Sequence, residues 1–334
     1  MDHHASVETL LSKAEIPIID LSHMGTVEAP CKSTVRRVAA QLHRSLSEKG
    51  LALLVNHGIP DEKLRAVYSA FDNFCVLPNG TKNSYLRTPP NNHGYVPPGV
   101  ESRFTNEHVE EMRHTFNITW LDRQLPESEV PGFQAAVISL AQDFQKLAAL
   151  LLRALALSLD LQAEYFLNSH RNMFHEGNSS CMRLLYYPPF GAPPTPGVTR
   201  CGEHADYGTL TLLAQDCEGG LEVQTSTHKW GRVGHLPGSI LLNTGELLAS
   251  WTSAKYPALR HRVVVPEQPK IRSKGRHSIA FFVHPDDDTP ITPIQCPVNQ
   301  AEQPATNNCI VKNGNKIYTA YQHLQMRFRE TYAS

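Results

Sequence analysis

Residues 204–213 read His204-Ala205-Asp206-Tyr207-Gly208-Thr209-Leu210-Thr211-Leu212-Leu213. A β-strand turns successive side chains to opposite faces, so His204 and Asp206, two residues apart, project to the same side. An imidazole and a carboxylate placed together are two of the ligands a divalent transition metal accepts. The run 209–213 that follows has the β-branched and apolar content of a buried strand. Alone, the pair says little. The chain has 17 histidines, and chance supplies a second His-x-Asp at His284-Pro285-Asp286, with His108-Val109-Glu110 a carboxylate variant.

The sequence downstream separates these copies. His261, 57 residues after His204, heads the strand candidate 262–265, and Arg276-His277-Ser278, 15 residues further on, opens another strand to 283. After His284 the chain offers one more histidine, His323, on an expected helix, and His108 sits in loop-like sequence. His204, Asp206 and His261 are therefore the candidate metal ligands: two histidines and a carboxylate, which leave other coordination positions open. Arg276 and Ser278 are again a same-face pair. A guanidinium fork beside a hydroxyl suits a carboxylate held away from water.

Around this centre, residues 181–284 form short β-type runs separated by Gly and Pro turns, at 182–187, 209–214, 221–224, 239–242, 262–265 and 278–283. That spacing predicts an antiparallel sandwich or barrel. Upstream, 16–20 and 51–55 read as strands. A helix is expected over 35–49, capped by Ser33 and Thr34 and stopped by Gly50, and another from Pro60 towards Leu77. Residues 78–110 read as loop, 133–159 as a buried helix, and 317–332 as a closing helix after a loop-like stretch to 313. The expected fold class is mainly β with packed helices. The chain 1–334 is read as one unit: a helix-rich region over 15–175, a β core carrying the metal site over 176–290, and a C-terminal loop and helix over 291–334.

Composition narrows the class. A net charge of −1 leaves no electrostatic footprint for nucleic acid or an anionic membrane. No apolar run is expected to span a bilayer. Met1-Asp2-His3-His4 lacks the pattern of a signal peptide, so a cytoplasmic location and a monomer acting on a small molecule are expected. Seven cysteines without a Cys-x-x-Cys pair read as reduced thiols, mostly core filler.

Further blocks run in the same order as the candidate site: Ile16-Pro17-Ile18-Ile19-Asp20-Leu21, Asn56-His57-Gly58, Met182-Arg183-Leu184-Leu185-Tyr186-Tyr187-Pro188-Pro189, Gly238-Ser239-Ile240-Leu241-Leu242-Asn243-Thr244-Gly245-Glu246 and Trp251-Thr252. Together they resemble the plant-type 2-oxoglutarate/Fe(II) oxygenases, which include anthocyanidin synthase and gibberellin oxidases, with isopenicillin N synthase as a relative. The resemblance covers about residues 15–332. It implies a double-stranded β-helix (jelly-roll) core. It also implies that His204, Asp206 and His261 bind Fe(II), and that Arg276 and Ser278, with Tyr187, hold the distal carboxylate of 2-oxoglutarate. O2 would be the oxidant, with ascorbate a reductant. Many members have Asn where this chain has Leu185, so one supporting hydrogen bond to the co-substrate is missing here.

The implied reaction is oxidative decarboxylation of 2-oxoglutarate to succinate, coupled to hydroxylation or desaturation of a small organic substrate. A same-fold Fe(II) oxidase that does not consume 2-oxoglutarate, a non-catalytic binding relative and a zinc hydrolase are the alternatives. By the same resemblance Arg183, Phe282 and His284 line the substrate pocket, and Phe116, with Asn117 and Thr119, forms a further wall. Such a pocket would suit a polar or anionic group beside an apolar ring or chain.

Overall fold

The computed structural model describes residues 11, 16–24, 31–101, 110–195, 198–294 and 318–331. Its principal elements, in chain order, begin with β1 (Ile18–Asp20), α1 (Lys32–Glu48), β2 (Leu51–Val55), α2 (Asp61–Cys75), β3 (Gly94–Val96), β4 (His114–Ile118) and α3 (Phe133–Leu157). They continue with β5 (Cys181–Tyr187), β6 (Cys201–His204), β7 (Leu210–Gln215), β8 (Leu221–Gln224), β9 (Trp230–Arg232), β10 (Ser239–Thr244) and α4 (Glu246–Trp251). β11 (His261–Val263), β12 (Arg276–Val283) and α5 (Ala320–Thr331) complete the set.

An eight-stranded sheet is ordered β1-β2-β10-β7-β12-β5-β4-β3, and a four-stranded sheet β9-β8-β11-β6. Apart from the parallel β1–β2 pair, the pairings in both are antiparallel. The two sheets form the jelly-roll core. The large sheet takes β1 to β4 from the helix-rich N-terminal region, so it crosses the boundary expected at residue 176.

Alternation along the strands gives the large sheet two different faces. Met182, Leu184, Leu210, Leu212, Ile240, Leu242, Ile279 and Phe281 join the cluster that packs on the helices. Leu185, Tyr187, Leu241 and Ala280 belong to the second cluster, with Leu221, Val223 and Val263 of the smaller sheet, and the half-buried Leu213 and Phe282 pack against it. The outer face is thus largely apolar where it meets the helices, while the inner face carries the polar site residues of the same strands.

α1 begins earlier than expected, at Lys32, with Cys31 at its N-cap position and no side-chain cap; Ser33 and Thr34 lie within the first turn. Its end is as read: Gly50, at φ +70°, takes the left-handed conformation that only glycine adopts without strain, and its N–H caps Leu46 O. The 78–110 stretch contains β3, paired antiparallel to β4 at the sheet edge. α3 is, against expectation, long and apolar enough by length and composition to cross a membrane. Here its apolar side is core, with Val137, Leu140, Phe144, Leu151 and Leu155 fully buried. Five described cysteines are free thiols; Cys75, Cys181 and Cys201 are buried and Cys31 and Cys217 exposed. Cys296, Cys309, His108 and most of the 291–313 stretch fall outside the described residues.

Candidate metal centre and active site

His204 ends β6 and His261 begins β11, and the two are paired across the small sheet. Asp206 lies two residues beyond His204, on the short link into β7. Their ligand atoms lie within 4.8 Å of one another. The nearest Asp206 carboxylate oxygen, Oδ1, is 3.6 Å from His204 Nε2 and 3.7 Å from His261 Nε2.

The surroundings decide which atoms face this point. His204 Nδ1 donates to Gly202 O at 2.9 Å, and His261 Nδ1 to Leu259 O at 3.1 Å. A proton fixed on Nδ1 turns the Nε2 lone pair towards a metal, the arrangement that ligating histidines adopt. Asp206 Oδ2 accepts from the Thr211 hydroxyl at 2.6 Å and the Asn243 amide at 2.8 Å, which leaves Oδ1 to point at the imidazoles. Burial would raise the Asp206 carboxyl, but positive charge on His261 and His204 when those rings are protonated, together with the Thr211 bond, outweighs it and holds the group well below the usual carboxylate range. Two imidazole lone pairs and an ionised carboxylate on one side of an open cavity fit a divalent iron site.

Beside this triad lies a cavity between the sheets. Arg276 and Ser278 line its far end, next to Tyr187. Arg276 is fully buried; it donates to the Ser278 hydroxyl at 3.2 Å and to Gln215 Oε1 at 2.9 Å, and its guanidinium lies 4.9 Å from the centre of the Tyr187 ring. Its Nε is buried without a partner. Leu185, Leu213, Val223, Leu241 and Val263 line the walls. Leu185 faces inward opposite Ser278, so the position where an amide was missing is a hydrocarbon surface of this cavity.

A second cavity adjoins the first and shares Arg183, Asp206 and Phe282 with it. His284 lines it, as do Asn92, Leu324 and Phe328, the last two from α5. One strand therefore serves both: Arg276, Ser278, Ala280 and Phe282 face the first cavity, and Phe282 and His284 the second. Phe116 reaches neither. It is fully buried on the other face of β4, in ring contact with Phe74, Tyr85 and Phe133, because the alternation that turns Asn117 inward turns Phe116 outward. Asn117 does act on the pocket: its Oδ1 accepts from Arg183 Nε at 2.7 Å.

Four contributors had no assigned role in the sequence. Thr211 and Asn243 were detectable in principle, as polar residues at inward positions of strands that are otherwise apolar. Gln215 owes its place to its register opposite Ser278, and Arg113 to a buried ion cluster with Glu101 and Glu111, both tertiary facts.

The chain matches two family models, the 2OG-Fe(II) oxygenase superfamily over residues 178–285 and the non-haem dioxygenase in morphine synthesis N-terminal family over residues 16–132. It is 30% identical to a proline hydroxylase of Petromyces alliaceus, over 87% of this chain and 92% of that one. It is 29% identical to a 2-oxoglutarate-dependent dioxygenase of Aspergillus rugulosus, over 88% and 93% of the two chains. Among solved structures it is similar to a full-length Neurospora crassa protein crystallised in complex with alpha-KG and thymine, with a TM-score of 0.78, 24% identity, and coverage of 93% and 96%. That likeness bears on the fold.

Proposed function

The chain belongs to the 2OG-Fe(II) oxygenase superfamily, and from that premise we propose that it couples decarboxylation of 2-oxoglutarate to succinate with hydroxylation or desaturation of a small organic substrate. It is an oxidoreductase that uses Fe(II) and 2-oxoglutarate. The observation that carries the fuller reading is the shared wall: one strand face runs from a buried guanidinium, past the His-Asp-His cluster, into a second cavity.

In this reading His204, Asp206 and His261 hold the iron, and Arg276 with Ser278 holds the distal carboxylate of 2-oxoglutarate. Iron bound there supplies activation of O2 driven by loss of CO2 from the co-substrate. The Tyr187 ring and Gln215 fix the orientation of Arg276, so its fork is set before the ligand arrives. The apolar walls exclude water from the middle of the co-substrate. Leu185 offers no hydrogen bond, which leaves the keto-acid end to be held by the metal. Substrate enters the second cavity, which opens beside the triad and is lined by Arg183, Phe282 and His284. The thymine bound in the Neurospora crassa structure is a small organic molecule.

Incubation of purified protein with Fe(II), ascorbate, O2 and 2-oxoglutarate, against a panel of small substrates, tests the proposal. Succinate should form in step with product. Absence of both 2-oxoglutarate binding and succinate would overturn it in favour of a same-fold oxidase with another carboxylate at Arg276.

A further inference from the structure

The second cavity has a charge balance that narrows its substrate class, an inference that rests on the function proposed above. Arg183 is its basic residue, and on sequence grounds the pocket suited a polar or anionic group. In the structure the guanidinium is already committed. Its Nη2 lies 3.2 Å from Glu101 Oε1 and its Nη1 3.3 Å from Glu101 Oε2, with Nε on Asn117. Glu101 and Arg183 are both buried. Arg113 pairs with the same Glu101 and, at 2.6 Å, with Glu111. The Arg183 charge is therefore met by a carboxylate already in place. The loaded metal side is balanced too, since the ion and Arg276 together match Asp206 and the two carboxylates of 2-oxoglutarate. Among the described residues lining the cavity no cation is left over to compensate a buried anion, and an uncompensated buried charge is strongly disfavoured.

His284 supplies the complementary observation. Its ring lines the cavity, is only 5% exposed, and keeps Nδ1 without a hydrogen-bond partner. Burial, aided by His323 and His170, pushes the imidazole down to about 3, so it is neutral and offers one N–H and one lone pair. A buried polar atom left unpaired is costly, so a ligand able to reach this ring and pair with it would be favoured. Phe282 gives an apolar face alongside, with the Arg183 guanidinium 5.5 Å from its ring centre.

We propose that this cavity takes an uncharged substrate carrying an amide-type donor and acceptor edge, and that His284 is the positioning residue that pairs with that edge. Carboxylic acids of the same shape are excluded by the Arg183–Glu101 pair.

The test is calorimetric titration, under argon, of protein loaded with Fe(II) and 2-oxoglutarate. The probes are two matched pairs: benzamide with benzoate, and nicotinamide with nicotinate. The amides should bind at least tenfold more tightly than the acids. Glu101→Gln, which leaves one positive charge uncompensated, should move that ratio at least tenfold towards the acids. His284→Phe should weaken the amides at least tenfold, and His284→Gln should recover part of the loss. A wild-type preference for the acids, a ratio unmoved by Glu101→Gln, amides indifferent to His284→Phe, or no probe bound by any variant would each overturn the proposal. Should Glu101→Gln fail to fold, the wild-type ratio and the His284 variants still decide it. Silent Fe(II) and 2-oxoglutarate titrations would instead count against the function proposed above.

Discussion

The two cavities are built on one strand, yet they are finished differently. On the co-substrate side the ligating groups are held in place: Thr211 and Asn243 fix Asp206, backbone carbonyls fix both histidines, and Gln215 and Ser278 hold the Arg276 fork, with its Nε left unpaired. On the substrate side His284 has an unpartnered nitrogen, and α5, contributed by the far end of the chain, lines the opening with Leu324 and Phe328. The contrast separates a fixed reaction, which needs ligands held in one geometry before anything binds, from substrate recognition, where the substrate itself completes the hydrogen bonding.

Removing a ligand should break the fixed half outright. Asp206→Ala is expected to lower substrate oxidation more than a thousandfold and to abolish stoichiometric iron, read by metal analysis of the purified variant; retained iron with normal turnover would sink the ligand assignment. Arg276→Leu comes next. It leaves the triad intact but removes the fork for the distal carboxylate, so the 2-oxoglutarate KM should rise by roughly a hundredfold while iron content is unchanged. Smaller again is Asn243→Leu, which frees one of the two bonds on Asp206 Oδ2. A loss of about tenfold in iron affinity is expected, measured by competition with a chelator. The same substitution should leave the amide-to-acid preference of the substrate half alone, and a shift there would show that the two halves are coupled.

Much of this division was legible in the sequence because a strand carries its own ruler. The i, i+2 pairs His204/Asp206 and Arg276/Ser278 fixed which residues share a face, and Phe282 and His284 continued the same count. Phe116 was misplaced for the converse reason. Its neighbour Asn117 is the inward residue of β4, and composition alone does not set the phase of a strand flanked by polar residues on either side. Charge compensation was not legible. Glu101 lies 82 residues from Arg183, and only the tertiary fold puts its carboxylate on that guanidinium. A basic residue facing a pocket reads as an anion site until its partner is located.

The smallest effect tests how the fixed half is anchored to the helices behind it. His277 follows Arg276 on β12 but points outward, where its Nε2 lies 2.6 Å from Asp72 on α2 and its Nδ1 3.4 Å from Asp216. The ring stacks on Tyr186 with centres 4.9 Å apart. Burial would lower its pKa, but bonds to Asp216 and Asp72 outweigh that and raise it to about 9. A histidine raised in the folded state contributes stability that is fully present below its ordinary value, near 6.5, and is lost as pH climbs through 9. Asp72 is half exposed, so solvent screening limits the contribution to about 1–2 kcal/mol. His277→Phe keeps the stacked ring and removes the charge. Urea midpoints of wild type and variant should therefore differ most near pH 6 and converge between 6.5 and 9, after correction for the added apolar surface. A difference constant across that window would mean that His277 supports β12 through packing, and that the ion pairs behind Arg276 contribute nothing to holding it in place.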